Sequence, residues 1–368
     1  MRYITLTVLL TATVAGLIAN DGAYLSSGGV FYPMKETRIS LAKEFLSFTV
    51  RDKKAQVDVL FEFMNPEASE RTLMVGFQAP SAAGDVQDEV SSASQIRDFR
   101  VLHEGKLLPY AMKVADCEDC PLLDPSDRFF TQFDAGVFVY LFELTFKPGV
   151  NRVQHSYEFP ASEDVATYER YSYILRTGSK WAGTSIGEFT LLVDMGPNRH
   201  FYVCDVFGKE AAWSILGTGK LSAEVFAHFR PDSAPYKMVR TLSGRLLVTA
   251  RDLKPDSDIE FGAFSQRLFN GNVQEDKSAM NPKLRSALYD LTPRHGNHQF
   301  DSFSPDELRL LRNMIYALHG YSFADKKLLD YFSRFDWYIP DPNLRMEEIR
   351  LSPEEQRFVQ EILSKEKG

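Results

Sequence analysis

The chain has 368 residues, a formal net charge of −8 and 13% aromatic side chains. That length exceeds one ordinary hydrophobic core, so two or three domains are expected. The acidic balance excludes the broad basic surface on which non-specific binding to nucleic acid or anionic lipid depends, and no nucleic-acid partner is expected.

Residues 1–19 open with a single cation, Arg2, and continue as an uncharged apolar run from Ile4 to Ala19, before Asn20 and Asp21. A spanning helix needs about 20 apolar residues, and this run is shorter. A basic start, a short apolar stretch and a small residue before polar text form the pattern of a secretory signal peptide cleaved after Ala19. Cleavage removes Arg2 and no acid, which leaves the mature chain at −9. The expectation is an exported protein, periplasmic or extracellular, with no stable membrane insertion after cleavage.

From residue 20 to 268 the text is β-rich. Lys54–Met64 alternates Val57, Val59, Phe61 and Phe63 against Asp58, Leu60 and Glu62, the period of a half-buried strand. Asn65-Pro66 stops it. Thr72–Gln78 is the next candidate. Phe99–Leu102 and Leu107–Tyr110 flank a His103–Lys106 turn with Gly105 inside, a hairpin pattern. Val137–Phe146 is a strong strand signal, and after the Lys147–Asn151 turn the string VQHSYEF is expected to pair with it. Further candidates are Tyr171–Arg176, Phe189–Val193, His200–Val206, Lys220–Phe229, Tyr236–Thr241, Gly244–Ala250 and Ile259–Phe264. So many short runs, with few helical patterns between them, predict a mainly β chain of one or two antiparallel sandwich units, split near 160–170 if two.

Three cysteines lie in this body. Cys117-Glu-Asp-Cys120 precedes a proline in loop-like text and is a candidate local disulfide in an oxidising compartment. Cys204 reads as a buried small hydrophobe. Two thiols are too few for a metal site, and no metal or cofactor is expected.

Asn20-Asp21, Gly28-Gly29, an extended segment with Glu44, then VDVLFEFMN and GFQAP resemble the family called domain of unknown function 4424. The later string with Thr177, Gly178, Trp181, Gly183, Ile186, Gly187 and Phe189 is similar to that family's second segment. The resemblance spans about 20–265 and implies an exported bacterial protein of β-sandwich character without an assigned activity. Trp181, beside Gly183, has two readings: a ring that stacks on a sugar or peptide, or a plug at the junction of two sheets.

Residues 269–302 read as a polar connector, with a short helix at Lys283–Leu291 and His295 and His298 lacking a third metal ligand. Ser304-Pro305-Asp306-Glu307 is a capping box with proline at the first helical position. Leu308, Leu311, Met314, Ile315 and Leu318 then form one apolar face, which His319-Gly320 ends. A second helix begins near Phe323, and Ser352-Pro353-Glu354-Glu355 repeats the box ahead of a third. The resulting helical module, 303–368, resembles the YARHG domain over about 303–364. Tyr316, Ala317, His319 and Gly320 match its signature, and Leu318 stands where the signature has arginine. Phe323, Leu328, Tyr331, Phe332, Trp337 and Tyr338 fit the rest.

The chain contains no HExxH, phosphate-cradling or dinucleotide motif. The leading expectation is a non-enzymatic envelope binding or scaffold protein with a protein or glycan partner, using Trp337, Tyr338, Tyr316, His319 and Trp181. The alternative is an envelope hydrolase whose site lies in the cleft between β body and helical module.

Overall fold

The computed structural model describes residues 20–27, 30–34, 36–79, 94, 96–115, 137–162, 167–223, 225–227, 234–264, 284, 300–335 and 337–366. The leader, Cys117 and Cys120, the helix expected at 283–291 apart from Leu284, and His295 and His298 lie outside them. Strands come first: β1 (Asn20–Ser27), β2 (Val30–Met34), β3 (Ser40–Arg51), β4 (Lys54–Asn65) and β5 (Arg71–Ala79). Next are β6 (Arg97–His103), β7 (Lys106–Leu107), β8 (Ala111–Ala115), β9 (Val137–Phe146) and β10 (Gly149–Pro160). The later strands are β11 (Thr167–Tyr173), β12 (Ile186–Asp194), β13 (Arg199–Cys204), β14 (Ala212–Leu221), β15 (Tyr236–Leu253) and β16 (Ile259–Phe264). Helices α1 (Pro305–Leu318), α2 (Lys326–Phe332) and α3 (Pro353–Glu366) close the chain. The protein is therefore mainly β with three C-terminal helices, as its patterning predicts.

A five-stranded sheet, β2-β1-β5-β9-β8, lies against an eleven-stranded one ordered β11-β16-β13-β15-β12-β3-β4-β10-β6-β7, with β14 added on β15. Alternation explains the layering. Along β4, Val57, Val59, Phe61 and Phe63 are buried, as the sequence period requires. Across the sandwich Phe63 meets Phe146 of β9 at 5.5 Å between ring centroids, and Phe77 of β5 meets Tyr157 of β10 at 5.1 Å. Residues on either side of 160–170 share one sheet through the parallel pair of β12 with β3.

Four expectations need correction. VQHSYEF does not return beside Val137–Phe146: β9 joins the small sheet, whereas β10 pairs with β4 and β6 in the large one. The two strands meet face to face instead, with Phe142 5.6 Å from His155, because each has a largely apolar face to bury. The pairing of β12 with β3 is parallel, not antiparallel. The strand expected at Lys220–Phe229 is the end of an earlier one, Ala212–Leu221.

Finally, Tyr236–Thr241 and Gly244–Ala250 are one 18-residue strand, β15. Its first part pairs with β13 and its second with β12, while β14 follows it from Val239 to Thr249 with a register shift at Thr218/Gly219. A strand that changes neighbours in this way turns the corner of a folded sheet. Gly244, at φ +96°, makes the corner: a Cβ there would stand 1.9 Å from the Leu216 carbonyl oxygen.

Body and module have separate apolar cores. The body's runs from Ile39 to Phe261, and the module's gathers Leu284, Phe300, Leu308, Leu311, Met314, Phe332, Phe358 and Ile362 among others.

Candidate functional site at the junction of body and module

The signature Tyr316–Gly320 ends α1. Ser304 starts that helix as predicted: its hydroxyl accepts from the Glu307 N–H, and Glu307 Oε2 accepts from the Ser304 N–H at 2.8 Å. Gly320, at φ +85°, donates its N–H to the Ala317 carbonyl at 2.9 Å, and the Tyr321 N–H reaches the Tyr316 carbonyl at 3.0 Å. This is the left-handed helix stop that glycine permits. A side chain at 320 would strike Leu242 of β15 at 2.8 Å, so the glycine also lets module and body approach.

The body answers with two cations. Arg240 of β15, 4% exposed, donates through its guanidinium to the Leu318 carbonyl at 2.5 Å and the Trp337 carbonyl at 3.2 Å. It also donates to Asn198 Oδ1 and the Thr241 carbonyl. Lys220 of β14 donates to the Tyr338 carbonyl at 2.9 Å. Carbonyls at a helix C-terminus lack intrahelical partners and carry partial negative charge, so a cation there satisfies both needs. The arginine absent from the signature position is thus met by one from the body, bound to the carbonyl of Leu318 itself.

His319 is tied within the module. Its Nε2 lies 2.9 Å from Glu355 Oε1, with both side chains 18% exposed. Glu355 Oε2 accepts from the Ser352 N–H at 2.7 Å, completing the cap of α3. Burial pushes the Glu355 carboxyl upward, but His319 and the Ser352 amide outweigh it and hold the group below its ordinary value. One glutamate therefore caps α3 and anchors the end of α1.

Tyr338 is 1% exposed and donates its hydroxyl to the Tyr321 carbonyl at 2.8 Å. Trp337 and Tyr316 are half-buried on the module core. Trp337 lies flat on Phe335, with centroids 5.4 Å apart and planes 9° apart. Trp181 is elsewhere, 1% exposed between the sheets, 4.5 Å from Phe63 and 6.1 Å from Phe146. The structure brings Tyr316, His319, Trp337 and Tyr338 into one module and leaves Trp181 in the body core.

Sequence reasoning missed Arg240, Glu44, His155 and His200. Glu44 is buried on the core face of β3 and accepts from the Tyr173 hydroxyl at 2.8 Å. Loss of water raises it to about 8, against the lowering effect of that bond. His155 sits among Phe61, Phe77, Phe99 and Phe142, each 5.4–5.6 Å away, and burial lowers it to about 3. His200, the cross-strand partner of Arg240, is lowered to about 3 by desolvation first and by the guanidinium second. Strict alternation with Val153 and Tyr157 in β10 was a readable sign that His155 points inward. Cys204 is buried in β13.

Among the described residues no three His, Cys, Asp or Glu side chains gather as a metal site, and no helix is long and apolar enough to cross a membrane. Residues 288–367 match the family model of the YARHG domain, and 138–204 match that of the Domain of unknown function (DUF4424), the two families that the sequence resembles. No curated protein matches. Among solved structures the chain is similar to a Legionella pneumophila protein named "putative nutrient binding protein", with TM-score 0.50 and 20% identity over 91% of this chain and 96% of that one. An M1 zinc metallopeptidase from Deinococcus radiodurans matches with TM-score 0.24 and 11% identity, over 60% of this chain and 44% of that one, a level that carries no argument.

Proposed function

We propose that this is an exported, non-enzymatic binding protein of the cell envelope, in which the β body is the scaffold and the helical module contacts a protein or glycan. The carrying observation is Trp337: its ring is partly open, stacked on Phe335, and its carbonyl is held by the buried Arg240. An aromatic fixed in advance offers contact area at little entropic cost on binding. Two family matches and full-length similarity in fold to a protein named for nutrient binding support a binding role. At the cleft where a hydrolase would need converging acids and bases, Arg240 and Lys220 instead donate to backbone carbonyls.

The test is recovery of partners from envelope extract by the mature chain and by Trp337→Ala. Loss of a specific protein or glycan with the variant supports the reading; equal recovery rejects the aromatic face. Tyr338→Ala is a poor companion, because its hydroxyl holds the Tyr321 carbonyl inside the module.

A further inference from the structure

A sheet edge offers backbone N–H and C=O groups to any strand that can pair with it, and edges are ordinarily blunted by shortness, charge or proline. Four of the five edges among the described strands are blunted in this way. β7 is two residues long, β2 contains Pro33, β8 contains Lys113, and β11 carries Glu169 and Arg170 and is bridged to Ser162. The edge at β14 differs. It runs for ten residues, and from Ala212 to Gly219 it has neither charge nor proline. Among the described strands it pairs with β15 alone. Trp213, Ile215 and Leu221 pack on the body core, while Ala212, Ser214, Leu216, Thr218 and Lys220 are exposed on the other face. Leu216, at mid-strand, is 48% exposed. The module's contact with this strand, from Lys220 to the Tyr338 carbonyl, lies at its far end.

We propose that β14 is the seam of a two-fold dimer, pairing antiparallel with β14 of a second copy so that Leu216 stands opposite Leu216. A two-fold axis normal to the sheet keeps packed face beside packed face, so each residue must meet one of its own face. With Leu216 on the axis, the strand is its own complement. On the exposed face the two leucines cover each other, Ser214 meets Thr218 of the second copy as a hydroxyl pair, and Ala212 meets Lys220. On the packed face large meets small: Trp213 faces Gly219 and Ile215 faces Gly217 of the second copy. The two lysines fall eight residues apart, about 26 Å at ~3.3 Å per residue, well beyond the screening length of about 8 Å. Gly217, at φ +126° and opposite Gly244, bends β14 together with β15, and the axis turns that bend to the same side in both copies. Such a seam closes on itself and leaves no free edge at either β14.

Analytical ultracentrifugation of the full chain over a concentration series tests this, with circular dichroism to check the fold of each variant. The expected result is a monomer–dimer equilibrium. Leu216→Lys sets two like charges directly opposite and should raise the dissociation constant by about tenfold or more. Ser214→Lys with Thr218→Lys should dissociate the dimer likewise, whereas Ser214→Glu with Thr218→Lys pairs opposite charges across the seam and should keep it, which separates lost pairing from misfolding. Leu216→Cys should form a disulfide between copies on oxidation, because directly opposed Cα atoms lie about 4.5–5.5 Å apart. Thr218→Cys, displaced from its counterpart by about 13 Å along the strand, should not. A chain that stays monomeric up to about 100 µM would overturn the proposal and leave the edge to a foreign extended segment. A dimer indifferent to Leu216→Lys, or one that cross-links at Thr218→Cys and not at Leu216→Cys, would overturn it as well.

Discussion

Body and module are held by contacts of different reach. In the body the decisive pairs are far apart in sequence: Tyr173 bonds Glu44 across 129 positions, and Arg51 makes two hydrogen bonds to the Asp194 carboxylate and one to its carbonyl across 143. In the module most fixing groups lie three or four residues apart, as in the Ser304–Glu307 and Ser352–Glu355 boxes and the turn at Gly320. Nearby groups order little chain to meet, whereas the body must close long loops first. The difference teaches where stability should be cooperative. Damage in the body should spread through the layered sheets, and damage in the module should stay near the helix end that suffers it.

The largest expected effect is Phe63→Ala, which empties the space among Phe61, Phe146 and Trp181. It should cost about 3–5 kcal/mol in urea denaturation followed by Trp181 fluorescence in a chain whose Trp213 and Trp337 are replaced by Phe. A module signal that collapses in parallel would break the comparison, since the separate cores would then unfold as one.

Two buried groups give the body opposite pH slopes. Glu44, raised from 4.5 to about 8, contributes stability below pH 4.5 that is lost as pH rises toward 8. His155, lowered from 6.5 to about 3, contributes stability above pH 6.5 that is lost as pH falls toward 3. Each slope approaches about 1.4 kcal/mol per pH unit at most. Glu44→Gln should flatten the alkaline side alone, and His155→Phe the acid side alone, in denaturant midpoints measured against pH. Unchanged profiles in both variants would show that neither group is buried in its depressed or raised form.

Smallest is Ser352→Ala, which removes one side of the α3 cap and should cost about 1 kcal/mol in the module transition. Because Glu355 also holds His319, Glu355→Gln should exceed it and flatten the acid side of the module's pH profile. The carboxyl is depressed by that pairing, so its contribution is present above 4.5 and fades as pH falls through the lower folded value. Equal effects from the two variants would mean that the link to α1 adds nothing to the cap.

Legibility follows the same division of reach. Both capping boxes and the glycine stop could be read from the sequence because each motif contains its own partner. Alternation along Lys54–Met64 told which side chains face the core, but not which strand lies opposite. Hence VQHSYEF was expected beside Val137–Phe146, when the two face one another across the sandwich. Arg240 gave no sign at all. It is a charged residue in an extended run, and its partners on the module lie 78 and 97 positions later. A glycine such as Gly244 resembles a break, so one long strand reads as two in the sequence.

That bend carries a practical corollary. A single stretch of backbone, Tyr236–Leu253, both folds the large sheet over and supplies the arginine on which the tail sits. Anyone transplanting the tail onto a foreign carrier would strip the carbonyls of Leu318 and Trp337 of their donor. The portable unit is therefore the tail together with the hairpin that bears Lys220 and Arg240, and a graft lacking that hairpin would need a surrogate guanidinium at the same spot.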